Sequence, residues 1–248
     1  MSQRTRLCEL KLALQIKMII LGIDTSTKCG SVALISEEEI LGEIKLNLEV
    51  THSERLLLII DSLLKWSKVT LKDLSGIAVT KGPGSFTGLR IASSIAKGLC
   101  YANNIPLLSC STLEALASNI NYSSYKICPV LDAKRNEVYT ALFENKGSGL
   151  PKRLTKDVAI PLSDFLERID KDTIFLGNNI YQFIKEIKNK LGKKAHFVLD
   201  NKNQISSLNV AYIGLKKYKK GTIEDIETFA PVYLRKSDAE LFLKRKNR

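Results

Sequence analysis

Apolar residues recur along this chain with two alternating spacings, and the alternation fixes an order of elements. Short continuous runs at 76–80, 105–109, 173–176 and 196–199 have the length and β-branched content of strands. Longer stretches at 52–67, 86–103, 112–120, 162–168, 180–191 and 205–218 place apolar residues three and four apart, the spacing of one helix face. Hairpins are expected at 19–35 with a further strand at 40–48, and again at 126–143. A Gly/Ser/Pro break at 147–151 and a polar stretch at 121–126 punctuate the order. The pattern is that of an α/β protein.

Two segments repeat at an offset of 108 residues: LGIDTSTKCGSVAL from Leu21 and PVLDAKRNEVYTAL from Pro129. Each is an apolar strand ending in an aspartate (Asp24, Asp132), a polar turn and a second apolar strand. The chain therefore reads as two similar halves, 18–122 and 123–248, each opening with a β-hairpin, or else as a chance match of two hairpins. Residues 1–17, basic and without an apolar core, read as an N-terminal extension: a poor secretory signal, a short transit peptide, or an upstream start before Met18.

The run GPGSFTGLRI from Gly82 to Ile91 sits between a strand and a helix. Such a corner aims free backbone N–H groups and the positive helix terminus into a crevice, where a phosphate or carboxylate can bind. Its spacing fits neither the Walker A loop nor the dinucleotide fingerprint. A tight strand-to-helix corner explains it equally. Asp24 and Asp132 carry the same ambiguity: each either organises a magnesium-bound water or closes its own hairpin by accepting backbone N–H bonds. The vestigial nucleotide or anion site would comprise Asp24, Ser26, Thr27, Gly82, Gly84, Ser85 and Asp132.

The helix at 52–67 carries apolar residues over half its circumference, and the next helix shows small residues along one side. Leu56, Leu57, Ile60 and Leu64 with Gly88, Ala92, Ile95 and Leu99 form either a partner-binding platform or an internal layer.

The net charge of +12 is the one global anomaly. Lysines crowd 185–220, and Arg235, Lys236, Lys244, Arg245, Lys246 and Arg248 end the chain; both favour a polyanionic neighbour. No aromatic interleaving accompanies these lysines, so base stacking is not indicated. Five scattered cysteines without a CxxC fit a reduced, cytoplasmic setting, and no run reaches membrane-span length. The two histidines, His52 and His196, are too far apart in sequence to form a metal-binding helical pair. They read as a capping and a structural residue, and no metal site is expected.

The segments MIILGIDTST (18–27), HSERLL (52–57), GPGSFTGLRI (82–91), AKGL (96–99), IPLLSCSTLEALA (105–117), LDAKRNEVY (131–139) and PVYLR (231–235) together resemble the TsaB (YeaZ) family, in order and over nearly the whole chain after Met18. The resemblance implies an actin-like ATPase fold and a part in making N6-threonylcarbamoyladenosine at position 37 of tRNAs that read A-starting codons. It implies a non-catalytic subunit that pairs with the catalytic paralogue TsaD, joined by the ATPase TsaE, with tRNA met through the complex. A homodimer is expected when the partner is absent. ATP and metal would belong to the partner subunits, with no cofactor on this chain alone. Against the family's wider fold, the first turn holds Ser26 where actin-like kinases need glycine under the phosphates. The competing readings are a glycoprotease-like metallopeptidase, which lacks a ligand set here, and a small-molecule kinase, which lacks the phosphate turn.

Overall fold

The computed structural model describes residues 17–47, 52–147 and 149–235, with no side chains described for 52–54. The first half begins with β1 (Ile19–Asp24), β2 (Cys29–Ser36) and β3 (Ile40–Asn47). It continues through α1 (His52–Trp66), β4 (Leu74–Thr80), α2 (Phe86–Asn103), β5 (Leu107–Cys110) and α3 (Thr112–Ala117). The strands form one sheet in the order β3-β2-β1-β4-β5: β1, β2 and β3 pair antiparallel, and β4 and β5 add in parallel.

The second half repeats this plan. It comprises β6 (Ser123–Lys134), β7 (Glu137–Thr140), β8 (Phe143–Asn145), β9 (Lys152–Arg153), β10 (Val158–Pro161), α4 (Leu162–Leu166), β11 (Thr173–Leu176), α5 (Ile184–Leu191), β12 (Ala195–Phe197) and α6 (Ser207–Lys219). Its sheet runs β10-β7-β6-β11-β12, with β8 and β9 extending it beside the first part of β6. Strand for strand this is the order of the first sheet, so the 108-residue repeat marks a duplicated unit rather than two chance hairpins. Asp24 ends β1, and Asp132 lies two residues before the end of β6.

Three apolar clusters hold the layers together. One lies between the first sheet and α1/α2, built on Leu21, Ile23, Leu56, Ile60, Ile77 and Ala92. Another lies between the second sheet and α4/α5, around Val130, Phe165, Phe175 and Ile187. The third joins the halves, bringing Ile20, Ala78 and Leu108 of the first sheet against Val210, Ala211 and Ile213 of α6, and continuing to Ile127 and Phe143.

The sequence boundary near 121–126 is therefore not the spatial one. The helix that ends the second half, α6, lies on the first sheet, against β1, β2, β4 and β5, whereas α3 of the first half packs on β6 and α6. Gly214 makes this approach achievable: a Cβ there would lie 2.5 Å from the Cβ of Ala78. At its start, the N-cap hydroxyl of Ser206 accepts from Leu208 N at 3.3 Å and donates to Glu43 Oε1 of β3 at 2.6 Å. Strand β10, whose four residues complete the second antiparallel trio, has no counterpart among the elements expected from apolar spacing.

Candidate functional site

The turn after β1 is buried and built from its own hydrogen bonds. Asp24 Oδ1 accepts from Ser26 N at 3.2 Å, from Ser26 Oγ at 2.6 Å and from Thr80 Oγ1, at the end of β4, at 2.6 Å. Asp24 closes its own hairpin, the second of the two roles the sequence left open.

The start of α2 then docks directly on this turn. Ser85 N donates to Ser26 O at 2.7 Å, and Thr25 Oγ1 donates to Gly88 O at 2.7 Å. Gly88 N is taken by the N-cap hydroxyl of Ser85 at 3.3 Å. Two glycines allow this contact. A Cβ on Gly84 would stand 2.5 Å from Ser26 O, and one on Gly88 would collide with Thr25 O. The GPGSFTG run is thus a tight corner whose glycines make room for the chain's own turn.

Gly82 serves a third contact. A Cβ there would lie 2.5 Å from Val232 O, and Val232 N donates to Lys81 O at 2.7 Å. The segment 224–235 runs as a strap along α2. Glu224 accepts from the hydroxyl of Ser109 and from Lys81 Nζ at 3.1 Å; burial raises its carboxyl, but these two donors outweigh it and hold the group below its ordinary range. Lys97 Nζ donates to Phe229 O at 3.2 Å. Tyr233 packs on Phe86 with ring centroids 4.5 Å apart, Arg90 lies over the Phe86 ring at 3.9 Å, and Arg90 Nε donates to the Tyr233 hydroxyl. Arg235 then reaches the second half, donating to Lys134 O at 3.1 Å and pairing with Glu137 at 3.3 Å.

The second turn is open. Asp132 Oδ1 accepts from Lys134 N at 2.7 Å, and Oδ2 pairs with Lys134 Nζ at 2.8 Å; Lys134, Arg135 and Asn136 all carry φ near +60° and all are exposed. Asp132 too closes its own hairpin. Burial raises the Asp132 carboxyl, and the Lys134 ammonium and amide overcome that and lower it.

The fold brings Asp24, Ser26, Thr27, Gly82, Gly84 and Ser85 together, but Thr25 O and Ser26 O present carbonyl oxygens to the helix start where a phosphate would need donors. The Ser85 and Gly88 amides at that start are already bonded within the chain. Thr27 Oγ1 donates to Cys29 O at 3.2 Å. Among the described residues, no group of three or more His, Cys, Asp and Glu side chains is placed to hold a metal ion.

The platform needs correction. Leu56, Ile60, Leu64, Gly88 and Ala92 are buried against the chain's own first sheet, because they lie on the faces α1 and α2 turn inward. Leu57 remains at the surface, Ile95 and Leu99 are half-buried, and the exposed apolar face instead includes Leu58 and Trp66, the latter 75% exposed. The sequence signal was present: Leu58 stood on the otherwise polar face of α1.

Other expectations resolve locally. Lys217 is tied to Ser109 O at 2.6 Å, and Lys219 pairs with Glu37. His196 bonds Asp172 Oδ1 at 2.8 Å and stacks on Tyr125. Cys29, Cys100, Cys110 and Cys128 are free and buried, with desolvation pushing Cys100 and Cys128 up to about 12. The His52 side chain, residues 1–16 and the tail from Lys236 to Arg248 lie outside the described residues. No helix among the described residues is long and apolar enough to cross a membrane.

Known proteins share both this geometry and this sequence. Residues 39–241 match the family described as TsaD, tRNA N6-adenosine threonylcarbamoyltransferase. The tRNA threonylcarbamoyladenosine biosynthesis protein TsaB of Bacillus subtilis is 34% identical over 90% of this chain and 96% of its own. A Pseudomonas aeruginosa structure described as similar to peptidase YeaZ superposes with a TM-score of 0.75 at 24% identity, covering 88% of this chain and all of that one. The Clostridium difficile activator of 2-hydroxyisocaproyl-CoA dehydratase, solved with bound ADPNP, shares the fold at a TM-score of 0.50 and 10% identity over 82% of this chain and 97% of its own. The two-sheet arrangement is that of the actin-like ATPases, and the chain belongs to the TsaB (YeaZ) family within the wider TsaD-related group.

Proposed function

We propose that this chain is a non-catalytic subunit of the complex that makes N6-threonylcarbamoyladenosine at position 37 of tRNAs reading A-starting codons, and that it pairs with and activates a TsaD-like catalytic paralogue. The observation that carries this reading is the first turn. Where an actin-like enzyme would hold phosphates, Thr25, Ser26 and the glycines of the α2 corner pack on one another, so this half offers a rigid surface in place of a reaction site. ATP and metal are then bound by the partner subunits, a TsaE-like ATPase joins the pair, and the assembly works in the cytoplasm.

The partner's place is the outer side of α1 and α2. Leu58 is exposed at the centre of that side of α1, with Leu57 on one flank and Trp66 on the other near the helix end; large apolar side chains left outside a fold, a tryptophan among them, mark a surface for a partner. Without the paralogue the same face buries itself in a homodimer.

Reconstitution tests the reading. Purified chain supplied with threonylcarbamoyl-adenylate leaves tRNA unmodified and does not hydrolyse ATP, whereas addition of the paralogue yields modified tRNA. Leu58→Glu keeps a native circular dichroism spectrum and loses co-elution with the paralogue and the modification it supports. Modification by the chain alone overturns the proposal.

A further inference from the structure

The charge surplus of this chain has a location that the linear order of residues hides. In the second sheet, register places Lys152, Glu144, Lys126, Thr173 and Ala195 directly abreast across β9, β8, β6, β11 and β12, near the end at which β6, β11 and β12 begin. Cross-strand neighbours share a face. Glu144 is the carboxylate in this row, and three ammonium groups crowd it: Lys126 at 2.9 Å, Lys146 at 3.9 Å and Lys152 at 3.9 Å. One negative charge against three positive ones leaves the corner strongly basic, and Lys146 and Lys152 are 76% and 77% exposed. Lys171, Lys193 and Lys194, in the turns before β11 and β12, extend the basic rim; Asp170 and Asp172 are its other acidic residues.

Aromatic rings stand at the same end of the strands, with the Tyr125–His196 stack on the opposite face of the sheet from the lysine row, because each is one residue out of step with it. Tyr122, directly before β6, is 78% exposed and held at φ +51°. Tyr125 is exposed and stacked on His196 with centroids 4.4 Å apart and planes 24° apart, and His196 is fixed from behind by Asp172. Such a pair, already flat and immobilised, presents a ready π-face at little further entropic cost. A positive row with rings just around the strand ends from it lets a looped RNA cross the sheet edge, its backbone on the lysines and its unpaired bases on the rings.

We propose that this rim of the second sheet is an RNA-contacting surface, in which Lys126, Lys146 and Lys152 receive phosphates of the tRNA while Tyr122 and the Tyr125–His196 pair stack on unpaired bases. The proposal rests on the tRNA-modifying role proposed for this chain and adds where this subunit touches the substrate. A protein partner of opposite charge would use the lysines but has no need of the rings, which decides between the two occupants.

The test measures binding of a fluorescent tRNA transcript to the full chain and to the reconstituted complex across a salt series. Lys146→Ala combined with Lys152→Ala flattens the slope of log affinity against log salt by about 1.5, since each lost phosphate contact removes roughly 0.7 to 0.9. Tyr122→Ala weakens binding about tenfold with the slope unchanged, as the loss of one stacked base requires. Tyr122→Leu, which keeps the bulk and removes the ring face, reproduces that loss and guards against a folding defect. An unchanged slope in the lysine variant, or unaltered tRNA affinity in both tyrosine variants, overturns the proposal, as does capture by anionic lipid vesicles that excludes tRNA. Assembly with the paralogue, followed separately by gel filtration, stays intact in all three variants. Its failure in the wild-type chain would strike the functional reading and leave the RNA-binding result standing.

Discussion

The turns at the ends of β1 and β6 descend from one repeated hairpin, yet they have come to opposite states. The first is sealed: Asp24 is fully buried, its Oδ1 accepts three hydrogen bonds, and the α2 corner rests on it so closely that only glycine fits at two positions. The second is open: Asp132 faces solvent in part, and three consecutive left-handed residues carry long or polar side chains outward. The difference lies less in the hairpins themselves than in the segments that pack on them. In the first half the start of an eighteen-residue helix packs on the turn, and a strap from the C-terminal segment ties down the corner that leads into that helix, at Lys81 and Gly82. In the second half the chain after β11 enters a short 3-10 turn at Ile180–Phe183 before α5, and only side chains reach the hairpin tip there: Gln182 hydrogen-bonds Asp132, and Arg235 donates to Lys134 O. A duplicated fold thus keeps its sheets and changes its rims.

The sharpest way to break this contrast is to add one methyl group at the sealed turn. Gly88→Ala must push Thr25 O aside and should cost about 3 kcal/mol or more of stability, read as a lowered urea midpoint. Gly98→Ala, in the same helix with open space around it, should instead stabilise by about 0.5–1 kcal/mol. Equal effects at the two glycines would mean that the turn is not tightly packed.

At the open turn the direction reverses. Asn136→Gly relieves a left-handed backbone and gives back part of that as glycine's extra freedom in the unfolded chain. The net gain should be no more than about 0.5 kcal/mol. A clear loss of stability would show that the Asn136 side chain holds the turn.

The smallest effect is electrostatic. The Asp132 carboxyl is held below its ordinary value of 3.8 by Lys134, so its contribution is present above that value and is lost as pH falls through the lower folded one. Asp132→Asn should therefore narrow the stability lost between neutral pH and pH near 3. Identical acid limbs in the two proteins would refute the Lys134 contact as a source of stability.

Much of this was legible in the linear chain, for physical reasons that differ by element. The strands and helices follow from apolar spacing, because each element buries one face and the period of that face is written in the residues. The repeat around Asp24 and Asp132 pointed to two similar halves and left a chance match of two hairpins open; the matching strand orders decided for duplication. The platform was misread because helical periodicity identifies an apolar stripe without saying whether the chain's own sheet or another protein covers it: Leu56, Ile60 and Leu64 went inward, and Leu58 and Trp66 stayed outside.

By itself, then, the sequence determined the order of elements, the duplication and the family, all of which depend on neighbours within a few residues or on whole-segment similarity. Only the tertiary structure decided that α6 crosses to the first sheet, that the glycines of the α2 corner admit Thr25 and Ser26, and that Lys152, Glu144 and Lys126 stand abreast on one face of the second sheet while Tyr125 and His196 stack on the other. Each of these joins residues far apart along the chain, and such contacts are set by how layers pack and strands register, quantities that no local pattern of residues encodes.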